Sequence, residues 1–133
     1  MKHLAIALLL AGALALVAAA CDGEEEQPPL TSGIEGQVLL GPQCPVVQEG
    51  TPCPDEPYQA TIDVWNAGRS RKVTTFTTDD QGRFRVPLPP GDYYIDPQPE
   101  DPGRPLPAPI PQDVTVLPDR FVSITIQYDT GIR

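Results

Sequence analysis

Acidic side chains are the residues of this sequence that could do chemistry. Asp79 and Asp80 stand side by side before Gln81 and Gly82, and paired carboxylates can act as a general acid and base. With the Gln81 carbonyl they could also hold a calcium ion, which prefers oxygen ligands. However, adjacent residues of a strand point to opposite faces, and the sequence lacks an Asp-x-Asp-x-Asp loop. Asp favours turns and Gly adopts positive φ, so we expect a turn here.

Histidine is almost absent from the chain. The sole histidine, His3, lies within residues 1–20, and the serines are Ser32, Ser70 and Ser123. A Ser-His-Asp or Cys-His relay requires an imidazole, and so does a histidine-ligated zinc site. We therefore predict a protein that is not an enzyme and has no cofactor or metal. An enzyme that uses carboxylates alone is the remaining catalytic alternative.

Aromatic side chains are the better candidates for contact with a ligand. Trp65 has the opposite parity to Ile62 and Val64, so in a strand it would point away from the core. Tyr58 and Tyr94 could join it on the surface, where aromatic rings stack on sugars or anchor protein interfaces. Alternatively, Trp65 could cover a proline-rich connection as a peripheral core residue.

The elements that would position these residues are strands. Seven short segments have the character of strands: most alternate apolar with polar residues, residues 71–78 are rich in Val and Thr around Phe76, and turns bound residues 92–95. No apolar period of 3.6 residues persists. The segments are residues 34–40, 60–65, 71–78, 83–88, 92–95, 114–116 and 122–128. Seven strands separated by turns rich in Gly, Pro, Asn and Asp predict an all-β fold, a seven-stranded antiparallel Greek-key β-sandwich. An open barrel is the nearest alternative.

The first 20 residues have the features of an export signal. Lys2 precedes an apolar run over residues 4–17, and Ala18-Ala19-Ala20 stands directly before Cys21. This end resembles a bacterial lipoprotein signal. The resemblance implies that Cys21 is lipidated and that the protein is exported and anchored to the outer face of a bacterial membrane, at the cell surface or in the periplasm. Ordinary cleavage beside an unmodified Cys21 is the alternative.

Residues 21–30 are acidic and carry Pro28 and Pro29 near their end, which predicts a solvated tether rather than folded structure. The whole chain has 9 Lys and Arg against 18 Asp and Glu, for a net charge of −9. Such a balance argues against nucleic acid as a partner, because phosphates require a basic surface.

Two further cysteines, Cys44 and Cys53, lie in an insertion between the first two predicted strands. If Cys21 is lipidated, they are the only thiols left, and in an exported chain such a pair predicts a disulfide. A thiol-redox site is the alternative, although the spacing is not Cys-x-x-Cys.

The folded part, residues 31–133, has the size of one small domain with a single core. Seven prolines fall in residues 97–111, namely Pro97, Pro99, Pro102, Pro105, Pro107, Pro109 and Pro111. We expect this proline-rich crossing to be a stiff, extended connection between the fifth and sixth strands.

Several motifs together resemble the carboxypeptidase regulatory-like domain. They are Gly33-Ile34-Glu35-Gly36-Gln37-Val38, Ala60-Thr61-Ile62-Asp63-Val64, Thr78-Asp79-Asp80-Gln81-Gly82-Arg83-Phe84 and Leu88-Pro89-Pro90-Gly91-Asp92-Tyr93. The resemblance implies a prealbumin- or transthyretin-like sandwich and a noncatalytic accessory or binding module, since such domains serve many unrelated proteins.

The functional expectation that follows is a noncatalytic, lipid-anchored cell-envelope module with a structural or protein-interaction role. The alternative is an accessory carbohydrate-binding module that uses the exposed aromatic residues. The expected partners are the membrane, through the lipid anchor, and an unknown envelope protein or glycan.

Overall fold

The structure is a computed structural model that describes residues 29–46 and 49–133. The predicted signal, Cys21 and the predicted tether up to residue 28 lie outside this range. Nine strands occur within it: β1 (Gly33–Gly41), β2 (Glu56–Pro57), β3 (Thr61–Asn66), β4 (Lys72–Thr77), β5 (Arg83–Pro87), β6 (Gly91–Pro97), β7 (Ala108–Pro109), β8 (Gln112–Val116) and β9 (Phe121–Asp129). No helix of a length and apolar character suited to crossing a membrane is found among the described residues.

The strands form two sheets. One has five strands, in the order β2-β1-β9-β7, with β5 also paired to β1, and the other has four strands, in the order β4-β3-β6-β8. The described part of the chain therefore has two β-sheets and no helix, which confirms the prediction of an all-β sandwich.

The strand count and the pairing differ from the prediction. All seven predicted strands are present, but β2 and β7 add two strands of two residues each, too short to show an alternation in sequence. The five-stranded sheet also contains both parallel and antiparallel pairs, because β1 and β9 pair in parallel from Gly33↔Phe121 to Gly41↔Asp129. Parallel neighbours need a long connection, and here nearly the whole domain separates the two strands.

The core lies between the sheets and contains the residues that alternate inward. Its buried apolar side chains are Ile34, Val38, Ala60, Ile62, Val64, Phe84, Leu88, Tyr93, Ile95, Val114, Val116, Ile126 and Tyr128. Both sheets contribute, so neither sheet could keep its apolar face dry without the other.

The proline-rich crossing joins β6 to β8, as predicted, but it is not a plain spacer. Its short strand β7 pairs with β9 of the five-stranded sheet, and the Ile110 amide donates to the Gln127 carbonyl at 3.0 Å. The chain thus leaves the four-stranded sheet, touches the other one and returns.

The predicted disulfide is present between Cys44 and Cys53, whose Cα atoms are 6.2 Å apart. It closes the connection between β1 and β2. Asp55 lies just after this loop and accepts a hydrogen bond from the side-chain amide of Gln127 at 2.8 Å. This bond links the end of the loop to β9.

Candidate ligand-binding face

The outer face of the four-stranded sheet carries a row of four side chains, one from each strand. Trp65 lies opposite Lys72 on one side and Tyr94 on the other, and Tyr94 lies opposite Asp113. We call Lys72, Trp65, Tyr94 and Asp113 the aromatic row. Trp65 and Tyr94 are partly exposed and Asp113 is exposed, whereas their strand neighbours Val64, Ile95 and Val114 are buried.

A β-bulge decides which residue stands beside Trp65. Val64 pairs with Thr74, but the next residue, Trp65, pairs with Lys72, so Val73 is the extra residue of β4. A bulge of this kind re-aims the side chains around it. Here Val73 packs against the core and Lys72 takes the outer position. Its ammonium group lies 5.4 Å from the centroid of the Trp65 ring.

The turn between β3 and β4 holds a second cation over the row. The Asn66 carboxamide accepts hydrogen bonds from the amides of Ser70 and Arg71, at 2.9 and 3.0 Å. Within this braced turn Arg69 has a φ of 55°, and its guanidinium lies 3.8 Å from the centroid of the Tyr94 ring. Such stacking is a cation–π contact, so the turn sets the position of Arg69 on the aromatic row.

Carboxylates surround the aromatic pair. Asp63 accepts a hydrogen bond from Thr75 at 2.7 Å and pairs with Lys72 at 3.2 Å. Asp92 accepts one from Thr115 at 2.7 Å, and Asp96 one from Gln98 at 3.1 Å. Within residues 29–46 and 49–133, Asp113 accepts no side-chain hydrogen bond. The face therefore combines two aromatic rings with acceptor groups whose lone pairs are only partly used.

Tyr58, the third predicted contact residue, lies elsewhere. Its ring packs on Tyr128 with centroids 4.8 Å apart, and its hydroxyl donates to Glu100 at 2.9 Å. Burial, with Glu100 as the lesser cause, raises the pKa of Tyr58 to about 12. Tyr58 lines a small cleft of about 220 Å³ with Gln98 and Glu100, near the start of the proline-rich crossing. The structure thus brings Tyr94 to Trp65 but not Tyr58.

Trp65 lies in the middle of the four-stranded sheet. It pairs with residues of β4 and β6 and is absent from the apolar side chains packed on the core. The alternative in which Trp65 covers the proline-rich crossing stays a prediction.

Asp79 and Asp80 have the positions expected of turn residues. The Asp79 carboxylate accepts the amides of Gln81 and Arg83 at 2.9 and 2.8 Å, and its carbonyl accepts the Gly82 amide at 3.0 Å. Gly82 has a φ of 69°, which suits glycine. No group of three His, Cys, Asp or Glu side chains arranged to hold a metal occurs in the described residues.

Sequence reasoning did not identify Lys72, Arg69 and Asp113 as neighbours of the aromatic pair. Their proximity depends on strand order and on the bulge at Val73, neither of which alternation reveals. The charged turn 66–72 was the only available signal, since it follows Trp65 directly in sequence.

No protein-family model matches this chain, and no curated protein does. Among solved structures, the chain is similar to a part of the Bacillus anthracis TIE protein, with a TM-score of 0.47 and 15% sequence identity. The match covers 74% of this chain and 17% of that one, so the chain spans less than a fifth of the length of the solved protein.

Proposed function

We propose that the chain is a noncatalytic, lipid-anchored cell-envelope module that binds an envelope component through the aromatic row. The observation that carries the proposal is the placement of Trp65 directly opposite Tyr94 on an exposed sheet face. Partly exposed aromatic side chains are the usual anchors of recognition surfaces. A sheet that is packed on a second sheet offers them a rigid support.

The finer fold assignment belongs to the same proposal. We propose a Greek-key, prealbumin-like sandwich of the carboxypeptidase regulatory-like type. The positions of the motif residues support it, because Asp79 braces the turn before β5, while Phe84 and Leu88 enter the core. Tyr93, at the end of the Leu-Pro-Pro-Gly-x-Tyr motif, is also buried, and its hydroxyl donates to the Pro89 carbonyl at 2.6 Å.

The proposed location is the outer face of a bacterial membrane, with Cys21 as the lipidated residue and residues 21–30 as the tether. The disulfide between Cys44 and Cys53 supports it, because such bonds persist in oxidising compartments outside the cytoplasm. Two acyl chains are enough for stable attachment. A Cys21→Ser variant is expected to leave the membrane fraction and to lose incorporation of labelled fatty acid.

The test of the binding role is crosslinking and affinity capture from native envelopes. A Trp65→Ala, Tyr94→Ala double variant should lose the captured component, while an Ile110→Ala variant should keep it. Ile110 is a suitable control because it is an exposed apolar residue, 44% accessible, on the proline-rich crossing. Equal capture by the parent protein and both variants would reject the aromatic row as the binding surface.

An accessory carbohydrate-binding module is the second candidate. The observation that favours it is the ring of carboxylates around the aromatic pair, since Asp63, Asp96 and Asp113 all lie on the same outer face. Titration with glycans, monitored through the fluorescence of Trp65, distinguishes it from a protein-binding module, because only the carbohydrate-binding module should respond.

A further inference from the structure

Resting on the proposed function, we infer that the ligand of the aromatic row is a neutral, linear glycan that lies across the strands. Trp65 and Tyr94 supply the stacking surfaces, and the Asp96 and Asp113 carboxylates accept hydrogen bonds from sugar hydroxyls. The chemical class follows from what surrounds the two rings.

The surroundings of the rings do not suit an apolar protein surface. Interface cores are depleted in charged residues, whereas the aromatic pair has Lys72 and Asp113 at its two ends and Asp63 and Asp96 alongside. Asp63 is already buried and paired with Lys72, but Asp113 is exposed and Asp96 is partly exposed. Burying these two carboxylates against an apolar partner would leave them without water. A sugar avoids this cost, because its C–H face covers an aromatic ring while its hydroxyls meet the polar neighbours.

The charge of the face selects between glycans. It carries the four carboxylates of Asp63, Asp92, Asp96 and Asp113 against the two cations Lys72 and Arg69, which leaves a net charge of −2. Lys72 is already paired with Asp63 at 3.2 Å. An anionic polymer would be repelled, whereas neutral hydroxyl groups can donate to carboxylates in charge-assisted hydrogen bonds.

The length of the row sets the minimum ligand. The row crosses the four strands of the sheet, and three inter-strand steps of about 4.8 Å give about 14 Å from Lys72 to Asp113. A single sugar is too short to reach from Lys72 to Asp113, so an oligosaccharide should bind more tightly than its monosaccharide.

Arg69 takes a specific role in this arrangement. Its guanidinium covers the Tyr94 ring at 3.8 Å, so a sugar that stacks on Tyr94 must displace it. The Asn66 hydrogen bonds hold the turn without using the Arg69 side chain. Removing that side chain should therefore free the ring without disturbing the turn, and we expect glycan affinity to rise about two- to fivefold in Arg69→Ala, the equivalent of an exposed cation–π contact.

The experiment is a fluorescence titration of the full chain, purified from membranes in detergent. The chain has a single tryptophan, so any change in emission reports on Trp65. The probes are soluble β-1,4-linked oligomers of glucose, xylose and N-acetylglucosamine, their monosaccharides, and the acidic polymers polygalacturonate and heparin. The expected result is a saturable change with neutral oligomers, weaker binding of monosaccharides and no change with acidic polymers.

Calorimetric titration of variants with the same neutral oligomers then measures how much each residue contributes to binding. Tyr94→Ala should abolish binding, and Asp113→Ala should weaken it about tenfold, the value of a charge-assisted hydrogen bond. Asp113→Asn keeps one acceptor oxygen and should lose less. Asp80→Ala is the matched control, because Asp80 is also an exposed carboxylate but lies on the turn before β5.

Four outcomes would overturn the inference. Preferential binding of acidic polymers would contradict the charge argument. Binding that survives Tyr94→Ala would move the site away from the aromatic row. No response to any neutral oligomer, together with a protein captured through Trp65 and Tyr94, would reject the glycan while leaving the proposed envelope module intact. Failure of both titration and capture would reject the two proposals together.

Discussion

Trp65 of β3 and Tyr94 of β6 lie directly opposite each other on the outer face of the four-stranded sheet. Their neighbours in sequence, Val64 and Ile95, form the corresponding pair on the inner face, where both are fully buried. The same two strands therefore build the core with one set of residues and an exposed aromatic surface with the other.

This division predicts a difference in stability between the two faces. Trp65→Ala should lower the free energy of unfolding by about 1 kcal/mol or less, because the side chain is partly exposed. Ile62→Ala, on the inner face of the same strand, should cost about 2 to 5 kcal/mol. Urea denaturation followed by far-ultraviolet circular dichroism measures both. A larger loss for Trp65→Ala than for Ile62→Ala would place Trp65 in the core.

The turn before β5 provides a second prediction. Asp79→Ala removes the acceptor of two backbone amides, at 2.9 and 2.8 Å, and should cost about 1 to 3 kcal/mol. Asp80→Ala should change the free energy of unfolding by no more than about 0.5 kcal/mol, since its carboxylate, unlike that of Asp79, accepts no hydrogen bond from the described residues. The urea denaturation midpoints of the two variants, compared with that of the parent protein, measure both effects. Equal effects would mean that the hydrogen bonds of Asp79 do not stabilise the turn.

A third prediction concerns Gly36 in the central strand β1. Its φ is 156°, and an added Cβ would collide with the Ile124 carbonyl oxygen. Gly36→Ala should therefore cost about 2 to 4 kcal/mol through backbone strain and overpacking. Gly68→Ala is the control, because a Cβ there meets nothing closer than the Ser70 hydroxyl at 3.9 Å. Thermal unfolding of both variants should show a marked loss for Gly36→Ala alone.

The disulfide should stabilise the domain by restricting the unfolded chain. Cys44 and Cys53 are separated by nine positions, and closing such a loop contributes about 2.5 to 3 kcal/mol by the chain-entropy relation. A Cys44→Ala, Cys53→Ala variant should lose about that much free energy of unfolding. Alkylation of the parent protein under denaturing, non-reducing conditions should label neither cysteine. Labelling of both would show that the disulfide is not formed and does not stabilise the native protein.

Tyr58 predicts how stability changes at high pH. Its pKa is raised from the usual value near 10 to about 12, first by burial and then by Glu100, so the folded state holds its proton more tightly than the unfolded state does. The resulting stabilisation is complete below about pH 10 and is lost as the pH rises toward about 12. Urea midpoints should fall over this range, and the fall should be shallower in Tyr58→Phe. Burial raises the pKa of Tyr128 as well, so that variant retains part of the slope. An identical decline in both proteins would contradict the assignment.

The sequence by itself was sufficient for the local features of this protein. Alternation located most of the described strands longer than two residues, because an inward and an outward side chain differ in polarity wherever one face of a sheet is buried. The Val- and Thr-rich composition of residues 71–78 and the turn before residues 92–95 located the others. The Asp79 turn and the Cys44–Cys53 disulfide were likewise predictable, since each depends on residues that are close in the chain.

Only the tertiary structure decided which strands are neighbours and which side chains meet. The parallel pairing of β1 with β9 joins the two ends of the domain, and no periodicity within a strand specifies its partner. The bulge at Val73 brings Lys72 to Trp65, and the order β3-β6-β8 brings Tyr94 and Asp113. Tyr58, which has the same residue type as Tyr94, lies against Tyr128 instead. A binding face built from four strands depends on which strands are neighbours, and that order is set by long-range packing rather than by local sequence.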